Sequence, residues 1–168
     1  MQKTLIFGNS GSGKSTLAKK LAKEKGLAHL DLDTLAWQPV TPPERMTITE
    51  SSRLINAFTH ANTSWVIEGC YTDLLELLNC ENETGSGNSS IDIIFLDLSI
   101  SQCISNAKNR PWEPHKYSSK QAQDDNLDML ITWIKDYDTR VDTFSKHAHQ
   151  KFYENFKGTK KHIISLEL

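Results

Sequence analysis

Nine residues near the start of the chain, Gly8-Asn9-Ser10-Gly11-Ser12-Gly13-Lys14-Ser15-Thr16, have the composition and spacing of a cradle for a polyphosphate. A triphosphate packs several negative charges into a small volume, and bulky side chains must be kept away from it. Gly8, Gly11 and Gly13 let the backbone wrap closely, so that the N–H groups of the loop, those of Ser10 and Ser12 included, turn inward as an anion nest. Lys14 adds a full charge aimed at the β- and γ-phosphates. The Ser15 hydroxyl suits Mg²⁺, and Thr16 can donate to a second phosphate. The helix that must follow adds the positive end of its dipole. The rival reading, a dinucleotide-binding turn, needs G-x-G-x-x-G from the strand end, which these residues do not spell, and it has no use for Lys14.

Carboxylates supply the second half of the chemistry. Asp31 and Asp33 alternate at the end of an apolar run, so an extended backbone would put them on one face. There a carboxylate can take the proton of an acceptor hydroxyl or hold Mg²⁺ through water, and each raises the other's proton affinity. Asp33 is the preferred base and Asp31 the alternative. Glu68, after Trp65-Val66-Ile67, is the preferred metal-orienting acid, with Asp97 as its competitor. Phosphoryl transfer also calls for a closing cation. Of nineteen cationic residues only four are arginine: Arg45, Arg53, Arg110 and Arg140. Arg110 opens an irregular stretch and leads the candidates, ahead of Lys116 and Lys120. Trp37 is a candidate wall of the acceptor pocket. Arg140 is expected to pair with Asp136 or Asp138, and His147 and His149 to be surface residues.

These groups need a frame. Apolar runs at 4–7, 27–32, 65–67, 91–98 and 162–166 read as strands, the fourth continuous enough to be buried on both faces. Helices are expected over 14–25, about 44–60, 72–78 and about 101–108. Two further helical stripes are Leu127, Leu130, Ile131, Ile134, Tyr137 and Val141, Phe144, Ala148, Phe152, Phe156. Residues 81–90, free of large apolar side chains, read as a surface loop, and 110–120 as a lid. Strands alternating with helices mean a parallel α/β sheet covered on both faces, with ligands at the carboxyl ends of the strands. Gly8, Asp33, Glu68 and Asp97 all fall at such ends.

The whole chain, 168 residues with a net charge of −2, fits one domain and gives no general attraction to nucleic acid or to an anionic membrane. Three cysteines without ligand spacing point to reduced thiols. No apolar stretch reads as a signal core or a membrane span, so the expectation is a cytoplasmic protein, monomer or homodimer.

Taken together, Gly8 to Thr16 with the later elements resemble the adenylate kinase-like group of P-loop phosphotransferases, which also includes shikimate and gluconate kinases. Asp31-Leu32-Asp33-Thr34-Leu35-Ala36-Trp37 and Trp65-Val66-Ile67-Glu68-Gly69-Cys70-Tyr71 look most like the topology-modulation (FlaR-like) subgroup. The resemblance implies a three-layer α/β/α P-loop NTPase fold whose five-stranded sheet has the order 2-3-1-4-5. It also implies a substrate-binding insertion after strand two (about 34–62) and a lid after strand four (about 110–120). The activity it implies is an ATP- and Mg²⁺-dependent kinase acting on a small metabolite. The alternative is a nucleotide-binding regulator or slow NTPase with water as acceptor.

Overall fold

Short, continuously apolar strands can be satisfied only between two helical layers, and the computed structural model, which describes residues 1–84 and 91–166, has that arrangement. The elements in chain order are β1 (Lys3–Gly8), α1 (Lys14–Lys25), β2 (Ala28–Asp31), α2 (Ile48–Ala61), β3 (Trp65–Gly69), α3 (Thr72–Thr84) and β4 (Ile91–Leu96). Then come α4 (Ile100–Asn109), α5 (Lys120–Asp125), α6 (Leu127–Lys135), α7 (Lys146–Asn155) and β5 (Lys160–Ile163). The sheet is wholly parallel and ordered β2-β3-β1-β4-β5.

Alternate residues of the central strands serve opposite layers. Leu5, Phe7, Ile67, Ile93 and Phe95 pack with Ile55 of α2, Leu74, Leu75 and Leu78 of α3 and Phe152 of α7. Ile6, Val66 and Leu96 pack under α1 through Ala18, with Leu17 and Leu21 at its edge. A smaller cluster joins Cys103 and Ala107 of α4 to Ile134 of α6. No helix among the described residues is long and apolar enough to cross a membrane.

Several boundaries differ from the sequence reading, each for a local reason. β2 stops at Asp31, because its carboxylate caps a 3₁₀ turn over Leu32–Thr34 by accepting from Asp33 N. α2 starts at Ile48, capped by Thr47, because the backbone from 36 to 46 pairs with itself through an antiparallel Trp37–Arg45 bridge. α3 continues to Thr84, so 81–84 belong to a helix and only 85–90 of the expected loop lie outside the described residues. β4 ends at Leu96, and Ser99, whose hydroxyl accepts from Gln102 N, caps α4. β5 runs over 160–163, earlier than expected. Val141 is 92% exposed and belongs to no helical stripe, since Ser145 caps α7 only afterwards.

His149 corrects the expectation of a surface histidine. It is wholly buried, with Tyr137 Oη 2.8 Å from Nδ1 and the Cys70 carbonyl 2.9 Å from Nε2. Its ring lies edge-on to Phe7 and Phe95. Burial pushes its pKa down to about 4, so the ring is neutral and knits α7 to the end of β3.

Candidate functional site

Two glycines in the loop after β1 are dictated by contact. A Cβ on Gly8 (φ 149) would lie 2.2 Å from the Leu96 carbonyl oxygen, and one on Gly11 (φ 75) 2.3 Å from that of Cys103. Both positions therefore combine a left-handed backbone with another strand or helix pressed against them. Gly13 caps α1 without a side-chain acceptor, and no acidic residue stands in that helix's first turn. The positive end of α1 is thus left for an outside anion. The loop is braced from behind: Asn106 of α4 donates to Gly11 O (2.8 Å) and Asn9 to Ile134 O of α6 (3.2 Å). Neither asparagine was singled out from sequence, for the bracing joins residues up to 125 apart. Lys14 Nζ turns back onto Asn9 O at 2.8 Å.

This loop forms one wall of a cleft of about 530 Å³, through Ser10, Gly11, Gly13, Lys14, Ser15 and Thr16. Gly8 and Ser12 lie behind the wall, both buried. Asp33, Glu68 and Cys70 line the end of the sheet, and residues 109–117 form the facing wall. Leu166 lies beside Gly13 at the same opening.

The strand order decides which acid meets the loop. Ile6, Glu68 and Asp31 are register partners across β1, β3 and β2, so Glu68 stands between the glycine loop and the Asp31 turn. Ser15 Oγ donates to Glu68 Oε1 (2.7 Å), and His29 Nε2 lies 3.4 Å from the same oxygen. Burial raises the Glu68 pKa, but the His29 and Ser15 contacts and the Lys14 charge outweigh it and hold the carboxyl below its ordinary range. Asp97 is occupied elsewhere, within 3.0 Å of His162 and 3.4 Å of Lys146, and does not line the cleft.

Asp31 and Asp33 do meet, although by a cap and not by strand alternation. Asp31 Oδ1 accepts from Asp33 N (2.9 Å). Its Oδ2 is buried without a hydrogen-bond partner, and its neighbours there are the Lys116 ammonium at 3.2 Å and the His115 ring nitrogen Nε2 at 3.7 Å. Burial, then the charges of Asp33 and Glu68, push the Asp31 pKa up. Asp33 is pulled the other way. Burial raises it, yet the Lys116 ammonium 2.7 Å from Oδ2 and the Tyr71 hydroxyl together hold it low. The two carboxyls are electrostatically unequal, one favouring a proton and one refusing it.

The cation beside these carboxylates is Lys116. Arg110 lines the cleft but pairs with Glu113 three residues on (3.2 Å). Lys120 pairs with Asp124 on the surface of α5. The Arg140 guanidinium is near Asp142 (3.6 Å) and lies over the Trp133 ring, so neither expected carboxylate holds it, although its backbone N donates to Asp136 O (2.8 Å). Trp37 does not line this cleft; its indole donates to Tyr71 Oη. Segment 110–119 carries no helix or strand and is tied down through Gln123, which accepts from Glu113 N and donates to Pro111 O.

Among the described residues no group of three or more His, Cys, Asp or Glu converges on a point that could hold a metal. The Ser15 hydroxyl beside the Glu68 carboxylate is a hard-oxygen pair of the kind that fits Mg²⁺, which takes its remaining ligands from phosphates and water.

No protein-family model and no curated protein matches this chain in sequence. Among solved structures, the chain is similar to an unliganded sugar kinase from Janibacter sp. HTCC2649, at 20% identity over 80% of this chain and 95% of that one, TM-score 0.49. A gluconokinase from Sinorhizobium meliloti 1021 aligns at 15% identity over 98% and 84%, TM-score 0.47. A deoxyadenosine kinase from M. mycoides with bound dATP aligns at 14% over 97% and 91%, TM-score 0.47.

Proposed function

We propose that this chain is an ATP-dependent phosphotransferase that moves the γ-phosphoryl group to a hydroxyl of a small metabolite. The observation that carries the reading is a single cleft with a glycine loop and Lys14 on one side and the unequal carboxyls of Asp31 and Asp33 on the other. A hydrolase using water needs the first but no pocket for a second substrate.

In this reading the loop amides of Ser10 to Ser15 and the start of α1 hold the β- and γ-phosphates. Lys14 exchanges the Asn9 carbonyl for a phosphate oxygen, and exposed Thr16 adds a hydroxyl donor. Ser15, oriented by Glu68, is the side chain that would hold Mg²⁺, which when bound neutralises charge on the phosphates. Asp33, ionised near neutrality, receives the acceptor's hydroxyl proton once Lys116 leaves its Oδ2, and Lys116 and Arg110, both lining the cleft, are the cations for the transferred group. Residues 110–120 act as the lid that keeps water out, and the insertion over 34–62 carries the acceptor side.

Phosphorus NMR of Mg-ATP incubated with a panel of hydroxylated and phosphorylated metabolites tests the assignment. An acceptor-dependent phosphoester signal is expected, and Asp33→Asn should remove it while ATP still stabilises the protein against heat. ADP release that no acceptor alters would sink the kinase reading in favour of a nucleotide-binding regulator or slow NTPase.

A further inference from the structure

Asp33 has two oxygens, and the molecule treats them differently. Oδ2 faces Lys116, which sits on the irregular segment 110–119. Oδ1 accepts from Tyr71 Oη at 2.5 Å, and that same hydroxyl oxygen lies 2.7 Å from Trp37 Nε1. An indole N–H can only donate, so the phenol oxygen accepts from Trp37 and its single proton is left for Asp33. Burial, with the Asp33 charge nearby, pushes the phenol pKa far up, so that proton stays in place.

The donors are themselves clamped. Tyr71 is 2% exposed. The Arg45 guanidinium carbon lies 5.0 Å from the centroid of its ring, 5.3 Å from that of Phe144 and 5.8 Å from that of Trp37, and it pairs with Asp73 at 3.1 Å. Trp37 is bridged to Arg45 through the backbone, with Gln38 N donating to Glu44 O and Met46 N to Ala36 O. A continuous path therefore runs from the 36–46 segment through Trp37 and Tyr71 to one oxygen of Asp33.

We propose that Tyr71 is the positioning residue of Asp33: its hydroxyl, oriented by Trp37, fixes Oδ1 and so reserves Oδ2 for the acceptor once Lys116 withdraws. The proposal rests on Asp33 being the acceptor-facing carboxylate of the phosphotransferase reading. It adds a hydrogen-bond relay of which Arg45 is the clamp, and it gives the insertion over 34–62 a physical role in catalysis.

Two measurements test it, one of them independent of activity. In the free protein, the Trp37 indole N–H resonance, assigned by its disappearance in Trp37→Phe, should move upfield in Asp33→Asn. The charged acceptor polarises the Tyr71 hydroxyl, which in turn strengthens the bond from Trp37. In turnover, Tyr71→Phe should lower kcat about tenfold, as expected for the loss of a hydrogen bond to a charged group. The KM for ATP and the ATP-induced thermal shift should not change. Trp37→Phe, which keeps an aromatic ring and removes only the upstream donor, should give a smaller loss of kcat in the same pattern and serves if Tyr71→Phe does not fold. A Tyr71→Phe enzyme with full kcat overturns the proposal. If no acceptor is turned over by the wild type, the phosphotransferase reading falls, and the relay is judged by the resonance alone: an indole signal unmoved by Asp33→Asn refutes it.

Discussion

Lys116→Met isolates the ion cluster that Lys116 forms with Asp31 and Asp33. Coulomb's law at an effective dielectric of about 20 gives about 6 kcal/mol for a unit-charge pair at the Lys116–Asp33 distance of 2.7 Å and about 5 kcal/mol at the Lys116–Asp31 distance of 3.2 Å. Desolvation of the three ions offsets most of that sum, so the triad contributes little net stability. Removing one member is a different matter, since it leaves two neighbouring carboxylates without their cation. Breaking a fully buried pair costs about 3–5 kcal/mol, but the Asp33 side chain is 36% exposed and water screens it, which brings the expectation to about 2–3 kcal/mol. For a chain of this size that is a drop in Tm of about 4–12 °C at pH 7.

The pH dependence has a definite sign. In the wild type Asp33, held low, contributes stability above the unfolded carboxylate value of about 3.9 and loses it as pH falls through its folded value. Lys116, held high, contributes below about 10.4 and loses its contribution only as pH rises through its raised folded value. Asp31, held high, costs stability when ionised and is relieved as pH falls. Without Lys116 both carboxyls behave as Asp31 does, so one takes up a proton on mild acidification and the repulsion ends. Circular-dichroism melts of the two proteins from pH 8 to 5 should therefore show a Tm deficit that is greatest near neutrality and narrows toward pH 5. No deficit at pH 7, or one that widens on acidification, would refute the account of the cluster.

Three further outcomes follow from single contacts. Lys14→Met should abolish the thermal stabilisation by Mg-ATP expected of the wild type, which at a hundredfold excess over Kd amounts to about 2.7 kcal/mol; scanning fluorimetry with and without nucleotide reads it. Gly8→Ala should cost more than about 3 kcal/mol or prevent folding, because its Cβ meets a backbone oxygen. Gly26→Ala, with φ 66 and no atom within 4 Å, should cost only about 1 kcal/mol in urea unfolding. For His149→Gln, the stability difference from wild type should shrink as pH falls from about 6.5 toward 4. The reason is that His149, with its pKa lowered to about 4, contributes fully above the unfolded value and loses its contribution below it.

What could be read from sequence was whatever local pattern determines. The glycine spacing from 8 to 13 specifies a backbone path, and apolar runs such as Trp65-Val66-Ile67 specify strands buried on both sides. Helix starts were less legible, because Thr47 and Ser145 cap α2 and α7 only after irregular stretches whose pairing is tertiary. Which loop cation would meet the carboxylates was illegible for a related reason. A loop cation goes to whichever anion the fold brings nearest, and Glu113 takes Arg110 while the 113–117 turn carries Lys116 across to Asp31 and Asp33. His149 sits among polar residues of a helix, and only the Tyr137 hydroxyl and Cys70 carbonyl, remote in sequence, make its burial affordable.

The site as a whole depends on one topological fact that no periodicity carries. Had β2 paired directly with β1, Asp31 and the Asp33 turn would flank the phosphate loop and Glu68 would sit one strand further out. Because β3 is inserted between them, a single carboxylate touches both halves: Glu68 accepts from Ser15 and raises the pKa of Asp31 by its charge. Asp33, in the turn just past that strand end, is reached instead by Lys116 and Tyr71. Strand insertion thus separates the acid beside the glycine loop from the acid that the proposed reading gives to the acceptor, while keeping both in one cleft. A chemistry joining two substrates needs that separation, and hydrolysis of one does not.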